Sequence, residues 1–274
     1  MNLHTVSEPR KNNFYRYSKF NRAFLLSILG VMFSVGSFNF LVDPYDIYKT
    51  PKISGINQIK SQKNLNDRLF KTVDIIRIKP TNIMLGSSRT KQALNPDHPA
   101  LSNIKPSYNL AIDGANVYEL LRYLEHALKN QPELKQVVIG LDFFMFNEFL
   151  ENQVTFSENR LEKQYIILPD LINSLFSFST LELSKETIIT SFEDPTPPDS
   201  YGENGFMSHR TPKDGKNQWR FKNGINVYFK FHHQYNLSQN YLSNFQKIVD
   251  ICRKNNINLV LFISPSHATQ WEAI

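Results

Sequence analysis

The 274-residue chain predicts an α/β fold with a parallel sheet, preceded by one N-terminal transmembrane helix. Three observations carry that prediction. An uncharged apolar run lies near the N-terminus, and beyond residue 80 short apolar runs alternate with segments of helical spacing. The first of those runs, Ile83 to Leu85, ends in a Gly86-Ser87-Ser88-Arg89 turn. Parallel sheets bind ligands at such strand-to-helix turns, outside the carboxyl ends of their strands.

From Ala23 to Val42 there are 20 residues without Lys, Arg, Asp or Glu. At about 1.5 Å per residue they suffice to cross a hydrocarbon core of about 30 Å. Arg10, Lys11, Arg16, Lys19 and Arg22 precede the run, whereas Asp43 and Asp46 follow it. The positive-inside rule therefore makes residues 1–22 a cytoplasmic basic tail and everything after Val42 extracytoplasmic, in a periplasm or at a cell surface. Ser34-Val35-Gly36 offers only a poor cleavage site, and hydrophobicity resumes through Phe38, Phe40, Leu41 and Val42. An anchor is thus favoured over a cleaved signal peptide.

Bulk composition excludes several classes. A content of 41% hydrophobic and 13% aromatic residues is incompatible with a disordered chain. The formal charge is +6, but the five N-terminal cations against Glu8 place +4 of it in the first 22 residues, leaving +2 elsewhere. No basic stripe remains to follow a phosphate backbone, so nucleic acid is not an expected partner. Cys252 is the only cysteine, which removes intrachain disulfides and thiolate metal clusters.

Residues 43–80 read as a connecting arm, with Pro44, Pro51 and Gly55 and a helix from Asn64 to Ile78 that Pro80 stops. Strands are expected at Thr81–Ser87, Ser107–Ile112, Gln136–Asp142 and Asn258–Ser264, the last two as continuous apolar runs of the kind buried in parallel sheets. Leu120, Leu121, Leu124 and Leu128 give Val117–Lys129 a helical stripe. Leu242, Phe245, Ile248, Val249 and Cys252 do the same for Leu237–Lys254. Residues 147–235 break the alternation and read as an insertion or cap, whose Trp219, Phe221, Tyr228, Phe229, Phe231 and Tyr235 either line a cleft or pack the cap onto the sheet. The segment Ser266 to Ile274 opens a helix and ends within it, the pattern expected of a domain truncated at its C-terminus.

Three blocks together resemble the SGNH (GDSL-like) hydrolase superfamily: Gly86-Ser87-Ser88-Arg89, Tyr108 to Asn116, and Gly140-Leu141-Asp142 with the aromatic residues after it. The likeness is to membrane-anchored bacterial members related to cell-envelope polysaccharide acyltransferases and acetylesterases, and covers roughly residues 40 to 274. It implies an SGNH/flavodoxin-like three-layer α/β/α domain over residues 81–274, with Ser88 as nucleophile. Its oxyanion donors would be the Ser88 backbone N–H, Gly114 and an asparagine of the third block.

The chain departs from that pattern in two places. The third block carries Asp142 in place of asparagine, and an ionised carboxylate cannot donate a hydrogen bond. Either Asp142 orients the base, or Asn109 or Asn116 supplies the missing donor. The last block, Asp-x-x-His in the superfamily, has its nearest counterpart in Ser264-Pro265-Ser266-His267, where serine replaces the acid. Two readings stay open: His267 is the base, or the Asp/His block lies beyond residue 274 and His267 lines the cleft.

Arg89 is a candidate for binding an anionic substrate group or for an ion pair with an acid such as Glu119. His98 reads as a loop residue and Asp113 as a turn former. His209, His232 and His233 lack a carboxylate at ligand spacing, so neither metal nor cofactor is expected. The resemblance implies a membrane-tethered serine esterase or O-acyltransferase acting on acyl groups of an envelope glycan. The alternative is a noncatalytic scaffold or glycan-binding component of a membrane export complex.

Overall fold

The structure, a computed structural model, describes residues 11–101, 103, 105–193, 199–209, 217–232, 234–266 and 268–272. Helix α1 (Lys11–Val42) contains the stretch Tyr17–Val42, long and apolar enough to cross a membrane, within which an 18-residue window has a mean hydropathy of 2.0. From Phe20 to Ser34 its side chains are exposed, and from Val35 the rest of the chain begins to enclose it.

A 3-10 turn (Ser61–Asn66) leads into α2 (Asp67–Ile78), which Asn66 caps by accepting from the Leu69 N–H. Lys79 ends the helix in the left-handed conformation, and Pro80 directs the chain into the sheet. There follow β1 (Asn82–Leu85), α3 (Ser88–Ala93), β2 (Ser107–Asn109), α4 (Val117–Asn130) and β3 (Gln136–Leu141). The interval predicted as an insertion contains α5 (Glu158–Leu161), α6 (Leu168–Phe176), α7 (Phe178–Glu193), a two-stranded antiparallel ribbon of β4 (Asp199–Tyr201) and β5 (Met207–His209), and α8 (Asn217–His232). The chain then forms α9 (Gln239–Lys254), β6 (Asn258–Ile263) and α10 (Ala268–Trp271).

The main sheet is parallel throughout, in the order β2-β1-β3-β6. Ile83 lies beside Tyr108 on one side and Val137 on the other, and Val137 in turn beside Leu259. Because β1 leads outward to β2 and the chain then returns past β1 to β3, right-handed crossovers put α3 on one face and α4 and α9 on the other. The core forms where Ile83, Leu85, Val137 and Ile139 meet Leu120, Leu124 and Ala127 of α4 and Ile248 and Cys252 of α9. One strand departs from its pattern. The apolar run of β6 predicts burial, yet it pairs with β3 alone among the described residues, and Val260, Leu261 and Ile263 are exposed.

The segment that reads as a connecting arm is part of the body. Ile47, Leu69, Phe70 and Val73 make a second apolar cluster, and around it lie charges held away from water. Lys63 pairs with Asp46 at 2.7 Å, and Arg68 with Glu119 at 2.6 Å. The Lys71 ammonium donates to the carbonyls of Asn109 (2.8 Å), Ala111 (2.6 Å) and Gly205 (3.1 Å), stitching α2 to the strand-end loop after β2 and to the β4–β5 turn. Polar composition made this segment look solvated; the charges are instead paired internally.

Burial, reinforced by the neighbouring Lys91 ammonium, pushes the Lys71 pKa down to about 7 from the ordinary 10.5, against the pull of nearby Asp67 and Asp113. Between those two values the unfolded chain holds the extra proton, so this group makes folding stability rise with pH across the window. Lys71→Met should weaken that rise by up to about 1.4 kcal/mol per pH unit. Chemical unfolding of both proteins from pH 7 to 10 checks it, and parallel profiles would show that Lys71 stays charged in the fold.

Candidate functional site

In a sheet of this order the chain turns in opposite directions from β1 and β3, and the crevice beyond their carboxyl ends is the expected ligand position. Residues 86–90 and 142 occupy it. Gly86 follows β1 with φ +149°, and a Cβ there would lie 2.2 Å from the Thr90 hydroxyl. A Cβ on Gly140, near the end of β3, would lie 2.1 Å from the same hydroxyl and 2.7 Å from Phe262. A glycine just after β1 and one near the end of the adjacent β3 thus form a floor without side chains, on which Thr90 of α3 rests.

That close approach brings Ser87 and Arg89 to Asp142. Ser87 is the N-cap of α3: its hydroxyl accepts from the Arg89 N–H at 3.2 Å and donates to Asp142 Oδ2 at 2.5 Å. Arg89 Nη1 donates to Asp142 Oδ1 at 2.6 Å. The Asp142 side chain is fully enclosed, so each carboxylate oxygen receives one donor away from water. The Arg89 guanidinium also lies 4.7 Å from the centre of the Tyr228 ring on α8, a cation–π contact. Ser88, the first residue of α3, is half-buried, and its hydroxyl makes no hydrogen bond to another described residue.

The other sequence candidates are placed as follows. Asn109 is fully buried, and its amide donates to the carbonyls of Thr90 (3.0 Å) and Leu94 (2.8 Å), tying the end of α3 to β2. Asn116 caps α4 through Oδ1, and its amide donates to Leu150 O (3.1 Å), Asn152 Oδ1 (2.9 Å) and Tyr241 Oη (3.0 Å). Both amides are committed to holding loops. Gly114 takes φ +60° in the β2–α4 turn, with Phe231 and Gln153 next to it. Arg89 pairs with Asp142 rather than Glu119, which belongs to Arg68. Asp113 receives Lys91 at 2.7 Å. Ser264 is buried after β6, bonds through its N–H to Leu141 O at 2.9 Å, and has a hydroxyl without a described partner. His267 lies outside the described residues.

Sequence reasoning named Tyr228 among the aromatic residues that line a cleft or pack the cap onto the sheet, but assigned no role here to Ser87 or His232. His232 is buried on α8, one turn after Tyr228, with Nδ1 against Tyr228 O at 2.8 Å and Nε2 lacking a described partner. Its ring stacks on Phe143, the residue after Asp142, at 6.2 Å. Only the N-cap geometry of Ser87 had a local signal, a serine directly before a helix.

A cavity of about 900 Å³ lies elsewhere, between residues 147–154 and α8. Phe149, Phe229 and Phe231 line it together with Asn152 and Gln153, and it reaches Gly114 through Phe231 and Gln153. Tyr228 and Tyr235 point away from it, onto Arg89 and Phe143. The Trp219 side chain is outside the described residues. Among the described residues no group of three or more His, Cys, Asp or Glu side chains is arranged to hold a metal ion. Comparison of the chain with protein-family models, curated proteins and solved structures finds no match.

Removing the Asp142 carboxylate would take away the acceptor of the Ser87 hydroxyl and the counter-charge at Arg89 Nη1. Asp142→Ala is expected to lower stability by about 3 kcal/mol, with a smaller loss in Asp142→Asn, which keeps a carbonyl acceptor. Thermal unfolding of the detergent-solubilised proteins measures both.

Proposed function

We propose that this chain is a membrane-anchored, extracytoplasmic serine esterase or O-acyltransferase of SGNH-like type, acting on acyl groups of a cell-envelope glycan. The observation that carries the reading is the position of Ser88: half-buried, with a hydroxyl free of described partners, at the carboxyl end of β1 where the parallel sheet changes direction. Helix α1, long and apolar enough to span a bilayer with cations before it and Asp43 after it, supports a tether with a cytoplasmic N-terminus. Such a tether holds a polymer-modifying domain near its substrate.

In this reading Ser88 Oγ attacks the ester carbonyl while a histidine takes its proton. The C–O bond to the sugar then breaks, the proton passes to the leaving hydroxyl, and the acyl-serine is transferred to water or to a second sugar hydroxyl. His267 is the base that the sequence resemblance implies. Asp142 acts through Ser87 and Arg89, fixing the turn that carries Ser88, rather than as the acid partner of a histidine. The Ser88 and Gly114 backbone N–H groups are the candidate oxyanion donors.

A second reading, a noncatalytic glycan-binding or scaffold component of a membrane assembly, draws on different observations. The Asp142 carboxylate is occupied by Arg89, the amides of Asn109 and Asn116 are committed, and the open cavity combines exposed Phe149 and Phe229 with amide side chains. Stacking faces beside hydrogen-bonding groups suit a sugar.

Intact-mass labelling of the full chain with a serine-reactive fluorophosphonate separates the two. The enzyme reading expects one adduct that Ser88→Ala abolishes and Ser243→Ala, at an exposed position on α9, retains. An adduct surviving Ser88→Ala overturns the mechanism. No adduct, with glycan binding that survives Ser88→Ala and is lost in Phe149→Ala, supports the binding module.

A further inference from the structure

The α6–α7 hairpin presents an apolar surface with no counterpart in the proposed chemistry. Along α6, Asp170 and Ser174 face inward, whereas Leu168, Ile172 and Phe176, at positions i, i+4 and i+8, are exposed. The pattern continues into α7, which buries Thr180, Ser184, Thr187 and Ser191 and leaves Phe178 85% exposed. Its small polar residues face protein and its N-terminal phenylalanine faces outward, while its charged Glu182, Lys185 and Glu186 are exposed further along the helix.

The depth of this surface follows from its contacts with α1. Ile166, ahead of α6, joins the cluster around Ile47, and Ser174 meets the Tyr48 hydroxyl at 2.6 Å. Leu175 O accepts from Asn39 at 2.7 Å, and the Phe176 ring covers Gly36. Helix α6 therefore descends along α1 into its apolar run. Helix α7 climbs back: Ser184 donates to Asn39 at 2.8 Å, and Ser191 accepts from the Ile59 N–H at 3.1 Å. Gly36 lies six residues before Val42, about 9 Å along the helix axis. Charged side chains on α7 begin only at Glu182, one turn above Phe178. An open, apolar-lined cavity of about 440 Å³ is shared by Phe33, Gly36, Phe40 and Leu41 of α1 with Leu175 and Phe176.

We infer that the closed end of the α6–α7 hairpin, with Phe176 and Phe178 at its tip and Leu168 and Ile172 above them, is a second membrane contact that inserts into the bilayer leaflet at the Val42 end of α1. The occupant of this surface is lipid because the surface is continuous with the apolar run of α1, through Gly36, Phe40 and the cavity they share with Phe176. Its depth of about 9 Å matches that of interfacial helices, whose apolar faces enter by about 5–10 Å. Asn39, a polar side chain within the span, is satisfied by the hairpin itself, which removes the penalty of exposing it to hydrocarbon. Two contacts fix the tilt of the body over the membrane, which a single helix followed by a flexible linker does not. The inference rests on the reading that α1 spans a bilayer.

The test uses the full chain, with Cys252→Ala as background, reconstituted in vesicles of phosphatidylethanolamine and phosphatidylglycerol. Nitroxide labels are attached singly at Phe178→Cys, Ile172→Cys, Leu29→Cys within α1, and Ser243→Cys on exposed α9. Collision with oxygen, which partitions into lipid, is compared with collision with a water-soluble nickel complex. The hairpin positions should show nickel accessibility several-fold below that of position 243 and oxygen accessibility approaching that of position 29. If position 29 is lipid-buried while 172 and 178 match 243, the hairpin contact is overturned and the anchor stands. If position 29 is itself open to nickel, the spanning reading fails and takes this inference with it.

Discussion

The carboxylate of Asp142 joins groups 53 and 55 positions away in the chain, Arg89 and Ser87, at the point where β1 and β3 end side by side. Charge-assisted hydrogen bonds of this kind contribute about 1.5–3 kcal/mol each, more than neutral ones, because the carboxylate has already left water. The contact requires the strand ends and α3 to approach closely, and Gly86 and Gly140 permit that by having no Cβ to meet Thr90. The turn carrying Ser88 is therefore held from beneath by backbone geometry and from the side by an ion pair. Its half-buried hydroxyl is set within a rigid frame rather than on a mobile loop.

A second set of constraints binds the chain between α1 and the sheet. Lys63, Arg68, Lys71 and Lys91 are all buried, and each finds a carboxylate or a group of carbonyl oxygens. Such charges add little net stability when complete, yet each missing partner is costly. Their effect is positional: α2, the strand-end loop after β2 and the β4–β5 turn hold one arrangement because few others satisfy the same charges. The Tyr201 ring, within 5.5 Å of both the Lys71 and Lys91 ammonium groups, fills the space among them with a face that favours cations.

The insertion divides its duties. Helix α8 covers the candidate site, with Tyr228 over Arg89 and Phe231 stacked on Phe144 at 4.8 Å. Helices α6 and α7 instead turn toward α1, through Asn39, Gly36 and the small polar face of α7. One interval of chain thus links the apolar helix to the edge of the sheet where Ser88 sits, and the orientation of the site relative to the N-terminal helix is built into the fold.

By itself the sequence determined whatever depends on neighbours along the chain. The apolar run of α1, the four parallel strands, α4 and α9, the stop at Pro80 and the turn at Gly86 all follow from local periodicity and backbone preference. It also determined that Ser88 and Asp142 belong to strand ends, and therefore to one edge of the sheet. What it left undecided depends on which distant groups meet. Asn109 and Asn116 have the chemistry of oxyanion donors, but only the packed chain commits their amides to the carbonyls of Thr90 and Leu150. Residues 43–80 have the composition of a linker, but partners for Arg68 and Lys71 supplied by remote segments make them part of the body. The apolar run of β6 has the pattern of a buried strand, but among the described residues it pairs with β3 alone and Val260, Leu261 and Ile263 are exposed. A pattern states what a residue can do locally; tertiary structure selects which of those capacities are already spent.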